Sequence, residues 1–342
     1  MKSTNYTINQ KTINCLFGVS VNEIYAFASK ENSIIITDEI LYSLHATKWE
    51  GCRIIQIPSG EQHKIQSTVD HIINQLLDWQ VNKDNFIIGI GGGVVTDIAG
   101  YVASVYKRGT KLGLVPTTIL GMTDAAIGGK NGVNVALVKN MVGTIYQPDF
   151  ILFDFSFLKT LPEQEWISGF AEIIKHACIK DEAMLTLLEH HTLEEFQNDD
   201  NMISDLIEKN VDIKFSIVVA DEKENADRRL LNFGHTIGHA VENLCELPHG
   251  NAISIGIIAA CHLSERINGF LSSDTKRIAD LLNKYHLPTS IDVDHKKVFE
   301  LLQSDKKREG ASIHFVLLNK IGDAATKLLD IYMVENNLKE IL

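Results

Sequence analysis

Two histidines stand four residues apart in LNFGHTIGHAVE, which runs from Leu231 to Glu242. On a helix, residues i and i+4 share a face, so His235 and His239 could converge on one divalent cation. One of them alone could be the ligand, or the pair could be two polar neighbours on a helix. The zinc-protease pattern HExxH is excluded, because Thr236 follows His235 where the glutamate base would be. Further metal ligands must therefore come from distant segments. The candidates are Glu172 in GFAEIIKHACIK and His249 in LPHGN, with His176 competing from the first of these. Glu172 and Lys175 lie three apart on one helical face, where the plain alternative is a surface ion pair.

Extended back to Arg228, the same stretch reads RRLLNFGHTIGHAVE, and Arg228, Asn232, His235, His239 and Glu242 follow steps of four and three. That spacing predicts one continuous helix face. The intervening Leu230, Leu231, Phe233, Ile237 and Val241 are apolar, so the helix is expected to be buried on its other sides. A buried stripe of Arg, Asn and His must be satisfied internally or face a site, and the second is favoured here. Gly234 and Gly238 weaken a helix unless another backbone or a ligand comes close.

A second constellation is GIGGGVVTDIAG, with Gly89, Gly91, Gly92 and Gly93 at the end of a predicted strand and before a predicted helix. Glycine permits positive φ and close approach, and a helix start offers free amides to a pyrophosphate. The fingerprint GxGxxG fails, since Val94 occupies the place of its third glycine. Asp97 is read as a first-turn residue that could merely favour the positive end of the helix. Lys107, Arg108, Lys130, Lys139, Lys175, Lys214, Arg228, Lys306 and Lys307 could build an anion pocket in an otherwise acidic chain. Lys130 and Lys139 flank the charge-poor IGGKNGVNVALVKN, where an exposed helix face would not explain them. A substrate carrying both a phosphate and a carboxylate would account for so many cations.

The elements that must hold these groups fall into two halves. SIIITD, CRIIQIP, NFIIGIGGG, KLGLVPTT and FILFD read as buried strands, and Val69, Ile72, Ile73, Leu76 and Leu77 form the apolar stripe of an intervening helix. Alternating strands and helices imply parallel βαβ units, a nucleotide-binding kind of domain. Beyond Leu158 long helical patterns dominate, starting near Pro162, with one short strand expected where Ile313, Phe315 and Leu317 alternate. Domains at 1–157 and 158–342 are the expectation, an α/β Rossmann-like half and a mainly helical half.

The chain has 342 residues and a net charge of -12, which argues against a nucleic-acid partner. Five cysteines without a CxxC pair read as reduced thiols of a cytoplasmic protein. The longest apolar run, Ala252 to Cys261, is far short of the ~20 residues that span a bilayer, so no membrane association is expected.

Taken in order, GGGVVTDIAG, YKRG, PTT, DAAIGGKNGVN, KNMVG, TLPEQE, GFAEIIKH, ADEKENADRRLLNFGHTIGHAVE, HGN and DKKREG resemble the 3-dehydroquinate synthases of the sugar phosphate cyclase group. The resemblance covers nearly the whole chain, and the combination is specific where any one motif is weak. It implies a lyase of the shikimate pathway that converts 3-deoxy-D-arabino-heptulosonate 7-phosphate to 3-dehydroquinate and phosphate. NAD would be used and returned within one turnover, beside zinc or cobalt, with the active site in the cleft between domains. It implies metal ligands at Glu172, His235 and His249, with His239 facing the substrate phosphate together with Arg108, Lys130 and Asn140. Lys214, Arg228 and Lys307 would surround the carboxylate and hydroxyls, and Lys175 and Asn232 would orient hydroxyls at the metal. Cofactor contacts map to Asp38, Glu61, Lys64, Gly92, Gly93, Val94, Val95, Thr96, Asp97, Thr117, Thr118, Asp124, Lys130, Lys139, Phe157 and Thr160. A homodimer is usual in the family.

The chain departs from the common family pattern at Thr96, Ala125, Ala126, Val138 and, most of all, Asn251. Family members generally carry HGE where this chain has His249-Gly250-Asn251, so looser orientation of the His249 ligand is expected. Alternatives are another sugar phosphate cyclase of the inosose or valiolone type, a metal-dependent polyol dehydrogenase, and a silent binding protein. Arg228 opposes the first, because a substrate lacking the carboxylate leaves a buried guanidinium uncompensated.

Overall fold

The computed structural model describes residues 2–49, 51–136, 138–303 and 308–341. The chain forms two compact units, the first of residues 1–162 with 200–222 and the second of residues 163–199 with 223–342.

The first unit begins with a hairpin, β1 (Lys2–Ile8) and β2 (Lys11–Phe17), to which no strand was assigned from sequence. There follow β3 (Ser33–Asp38), α1 (Glu39–His45), β4 (Arg53–Ile57), α2 (Gln66–Asp78), β5 (Phe86–Gly91), α3 (Gly93–Val105) and β6 (Lys111–Pro116). A second hairpin, β7 (Lys130–Val135) and β8 (Val138–Ile145), precedes β9 (Phe150–Phe153). All five strands expected from β-branched runs are present, and they pair in parallel in one sheet of order β1-β2-β9-β6-β5-β3-β4. Only the β1–β2 edge is antiparallel. The sheet's central strands are buried on both faces, which is why they read as uninterrupted apolar runs such as Phe86–Gly91. One core cluster gathers Ile35, Ile88, Ile90, Val115, Phe150, Leu152, Trp49 and Phe157.

The second unit takes up α4 (Glu163–Lys180), α5 (Glu182–His190) and α6 (Leu193–Asn198), after which α7 (Asp200–Ala220) belongs again to the first unit. Next come α8 (His235–Cys245), α9 (His249–Asn268), α10 (Ser272–Lys284) and α11 (His295–Gln303). The strand expected near residue 313 is β11 (Ser312–Lys320), and it has two partners not read from sequence, β10 (Arg308–Glu309) and β12 (Asp323–Asp330). Helix α12 (Ile331–Ile341) closes the chain order. A core of Ile237, Val241, Ile255, Leu263, Val298, Ile313, Phe315 and Leu317 joins α8, α9, α11 and β11. Among the described residues no helix is long and apolar enough to cross a membrane.

Candidate metal centre and cofactor-binding elements

Helix α4 is buried from Trp166 to Ile179, all the way round. Glu172 and Lys175 therefore form no surface pair: their side chains are 0% and 1% exposed, and Lys175 Nζ lies against Glu172 Oε2. One turn earlier on α4 is Ser168, whose hydroxyl accepts the Gly250 amide at 3.1 Å. A Cβ on Gly250 would fall 2.4 Å from Ser168 Cα, so only glycine lets the start of α9 come this close to α4. That approach places His249, the first residue of α9, over Glu172.

The expected single helix from Arg228 to Glu242 is two. A 3-10 turn covers Asp227–Asn232, and α8 starts at His235 after Gly234, which has φ +77°. A Cβ on Gly234 would meet Ile257 Cγ1 at 2.7 Å and its amide at 2.9 Å, and one on Gly256 would meet the Gly234 carbonyl at 1.9 Å. Gly238 likewise faces the Ala252 carbonyl and Ile253. The glycines that looked costly in a lone helix are the contact between α8 and α9. Breaking the stripe at Gly234 makes His235 a helix start, with Nδ1 3.1 Å from the Phe233 carbonyl. As donor to that carbonyl, the ring leaves Nε2 free of a proton.

His235 Nε2 stands 3.4 Å and His249 Nε2 3.5 Å from the same atom, Glu172 Oε1. Among the described residues that buried oxygen has no hydrogen bond. Two donors on one tetrahedral zinc, each ~2.1 Å from the ion, lie about 3.4 Å apart, so these separations fit a shared ion better than an ion pair. The residues thus match a two-histidine, one-carboxylate set, and the three form one potential metal group. Burial by itself would raise the Glu172 carboxyl, but Lys175, then His235 and His249, outweigh it and hold it well below the usual carboxylate range. The group is ionised, as a ligand must be. His176 is fully buried on α4 and is not in this group.

His239 is one turn along α8, its ring centroid 5.1 Å from that of His235 and 6.2 Å from that of His249. With Glu242 and His249 it makes a second grouping, which meets His249 through Nδ1 rather than Nε2. Sequence reasoning placed Glu242 on the stripe but saw no role for it. Glu224 was missed altogether: its Oε1 accepts the Asn232 side-chain amide at 2.5 Å. Arg228 is buried, at 2% exposure. Lys307 lies outside the described residues.

In the first unit, β5 runs into α3 with Gly92 as the cap residue. No side chain caps this end, so the first-turn amides of Gly93, Val94 and Val95 point from the helix start as an anion cradle requires. None of Gly89, Gly91, Gly92 or Gly93 has positive φ. The reason for glycine is contact: a Cβ on Gly89 would be 2.6 Å from that of Ala99, and one on Gly91 would be 2.5 Å from Val95. Thr96 turns its hydroxyl back to the Gly93 carbonyl at 3.1 Å.

Asp97 is the fifth residue of α3, beyond its first turn, and it pairs with Lys64 rather than serving the helix end. Lys64 Nζ also reaches Asn140 Oδ1 at 2.6 Å, and Asn134 links the same corner to Glu61 and to the Asn140 amide. Burial opposes the Lys64 charge, yet Asp97 and Glu61 hold the amine above its ordinary value. Asn134 carried no signal beyond its place in the motif. Lys130 and Lys139 lie on the β7–β8 hairpin and are exposed, as are Asn140 and Arg108, while Lys214 pairs with Asp124 at 2.8 Å.

Asp38 caps α1 through the amides of Ile40 and Leu41 and takes the Ser59 hydroxyl at 2.7 Å, at the carboxyl end of β3. Thr117 and Thr118 follow β6, and Thr118 accepts the Gly121 amide. Phe157 is buried against Trp49 and His45, with Thr160 bonded to His45 at 2.8 Å. Phe157 thus packs in the core, whereas Thr160 is exposed, its hydroxyl also donating to the Phe157 carbonyl at 3.1 Å.

Comparison with known proteins shows the family. Residues 54–168 match the model of the 3-dehydroquinate synthase N-terminal family, and residues 169–308 match that of its C-terminal counterpart. The 3-dehydroquinate synthase of Pyrococcus abyssi is 42% identical over 78% of this chain and 79% of its own length. That of Campylobacter curvus is 37% identical over 91% and 92%. Among solved structures, 2-epi-5-epi-valiolone synthase from Streptomyces hygroscopicus, with NAD+ and Zn2+ bound, superposes with a TM-score of 0.87 at 27% identity. That alignment covers 100% of this chain and 98% of the other. With the two family models together matching residues 54–308 and relatives this similar over most of their length, the chain belongs to the 3-dehydroquinate synthase family, whose members are carbon–oxygen lyases.

Proposed function

We propose that this chain converts 3-deoxy-D-arabino-heptulosonate 7-phosphate to 3-dehydroquinate and inorganic phosphate, with Glu172, His235 and His249 as its metal ligands. The observation that carries the metal assignment is the meeting of two imidazole nitrogens, 3.4 and 3.5 Å away, at one buried carboxylate oxygen. When bound, zinc or cobalt would lower the pKa of a substrate hydroxyl and polarise the ketone made from it. NAD would accept a hydride from that carbon and return it later in the same turnover.

The chain's own side chains position and polarise. Glu172 stays anionic chiefly because the Lys175 ammonium favours its charge, and with the metal bound, two neutral imidazoles and one carboxylate would leave a net positive centre. In the second unit Lys175 and Asn232 orient hydroxyls, Asn232 being steadied by Glu224. Arg228, buried and permanently charged, meets the substrate carboxylate, and His239 takes a phosphate oxygen. In the first unit Arg108, Lys130 and Asn140 receive phosphate oxygens and Lys214 a hydroxyl; the resemblance alone adds Lys307, outside the described residues, to the carboxylate group. The amides at the start of α3 hold the pyrophosphate of NAD, with Asp38, Glu61, Lys64, Asp97, Thr117, Thr118, Asp124, Lys139, Phe157 and Thr160 around the rest.

The test is to incubate metal-loaded protein with NAD and the heptulosonate phosphate and to follow phosphate, 3-dehydroquinate and absorbance of reduced cofactor together. Stoichiometric phosphate and dehydroquinate without net NADH is the expected result. Accumulating NADH without phosphate would instead make the chain a dehydrogenase.

A further inference from the structure

The imidazole of His249 has two neighbours, on opposite edges. Its Nε2 faces Glu172 Oε1 at 3.5 Å, and its Nδ1 faces Glu242 Oε1 at 3.4 Å. Glu242 is 5% exposed and is fixed on α8, one turn beyond His239. His235 shows the same division of labour, with Nε2 toward Glu172 and Nδ1 toward the Phe233 carbonyl. A metal-binding ring of this kind needs an acceptor behind it, to fix the tautomer and the ring plane.

The residue that the resemblance would place in that role by sequence proximity is the one after His249-Gly250, which is Asn251 here. Asn251 Oδ1 is buried and, among the described residues, accepts no hydrogen bond, so it does not receive the His249 Nδ1 proton. The acceptor comes from the neighbouring helix instead. The close glycine contact of α8 with α9, through Gly234, Gly238 and Gly256, is what brings the α8 carboxylate to the ring.

We propose that Glu242 is the positioning residue of His249: its carboxylate takes the Nδ1 proton and so presents an unprotonated Nε2 to the metal. The inference rests on the metal assignment made above and deepens it. It also removes the expectation that Asn251 loosens the ligand, because the orienting carboxylate is supplied seven residues before His249. The anionic acceptor makes His249 a stronger donor than His235, whose acceptor is a neutral carbonyl.

The experiment measures Zn2+ affinity by chelator competition in the full chain, for wild type, E242Q, E242A and H235A. The Co2+ absorption spectrum and the melting of the metal-free protein accompany it. Removing such an acceptor costs about 10- to 100-fold in metal affinity, and that loss is expected for E242A. E242Q, which keeps an acceptor oxygen of the same shape, should recover most of it. In E242A the Co2+ bands should shift and the His249 ring nitrogens should show mixed tautomers by 15N NMR.

Unchanged zinc affinity in both Glu242 variants, with zinc lost from H235A, would overturn the positioning role while leaving the metal centre intact. Zinc retained in H235A and lost in E242A and E242Q would put the ion among His239, Glu242 and His249, and overturn it differently. Full zinc affinity in H235A and both Glu242 variants alike would remove the metal assignment and this inference with it. Should E242A fail to fold, E242Q still decides: a several-fold loss of Zn2+ affinity with shifted Co2+ bands supports the role, since its neutral amide oxygen is a weaker acceptor, whereas wild-type affinity with an unshifted spectrum overturns it.

Discussion

The helical centre in the second unit and the glycine-and-lysine region of the first meet charge in opposite ways. Around Glu172 the charged groups are buried, with Glu172 and Lys175 at 0% and 1% side-chain exposure, and each is held by helices packed through glycine contacts. Around α3 and the β7–β8 hairpin, Lys130, Lys139, Asn140 and Arg108 are exposed, while Lys64 is drawn in against Asp97 and Lys214 against Asp124. The first arrangement is rigid and unforgiving, because a buried ion without its partner is costly. The second is a set of separate, water-screened contacts, each of which contributes little by itself.

Four substitutions test that contrast, in order of expected effect. His235→Ala should remove bound metal and lower phosphate release by more than about 1000-fold, a loss of ~4 kcal/mol of transition-state stabilisation. Metal content by elemental analysis together with turnover checks this, and a mutant with full metal and normal rate would take His235 out of the ligand set. Glu172→Ala removes the carboxylate from beside a buried ammonium and should destabilise the metal-free protein by about 3 kcal/mol in denaturant titration. A change below ~1 kcal/mol would mean that water enters the centre and that the contrast with the first unit is weaker than the burial indicates.

Gly234→Ala sets a Cβ at positive φ against Ile257, and should cost about 2 kcal/mol while weakening zinc binding, since His235 begins the helix that Gly234 starts. Unaltered stability would show that the α8–α9 contact yields easily. Lys64→Met should weaken NAD roughly tenfold in a binding titration, ~1.4 kcal/mol, with zinc content untouched. A zinc loss there would break the separation of the two regions.

The parallel strands were legible because strands buried on both faces leave continuous β-branched runs, as in Ser33–Asp38 and Phe86–Gly91. The β1–β2 edge and β12 were not, since their half-exposed residues lack such runs and their pairing is between segments. The continuous helix expected from Arg228 to Glu242 failed at Gly234 for a similar reason. Periodicity records which residues share a face but not that a glycine will turn the chain to meet a neighbouring helix.

By itself the sequence determined the family, the parallel sheet and the candidates Glu172, His235 and His249, because residue types and motif order are local properties of the chain. Only the tertiary structure decided that these three converge at one carboxylate oxygen, that Lys175 shares that carboxylate, and that Glu242 backs His249. The physical reason is that side chains 63 and 77 residues apart (Glu172 to His235 and to His249) are brought together by helix-on-helix contact distances set by glycines. Such distances depend on how whole helices pack, and no spacing along the chain records them.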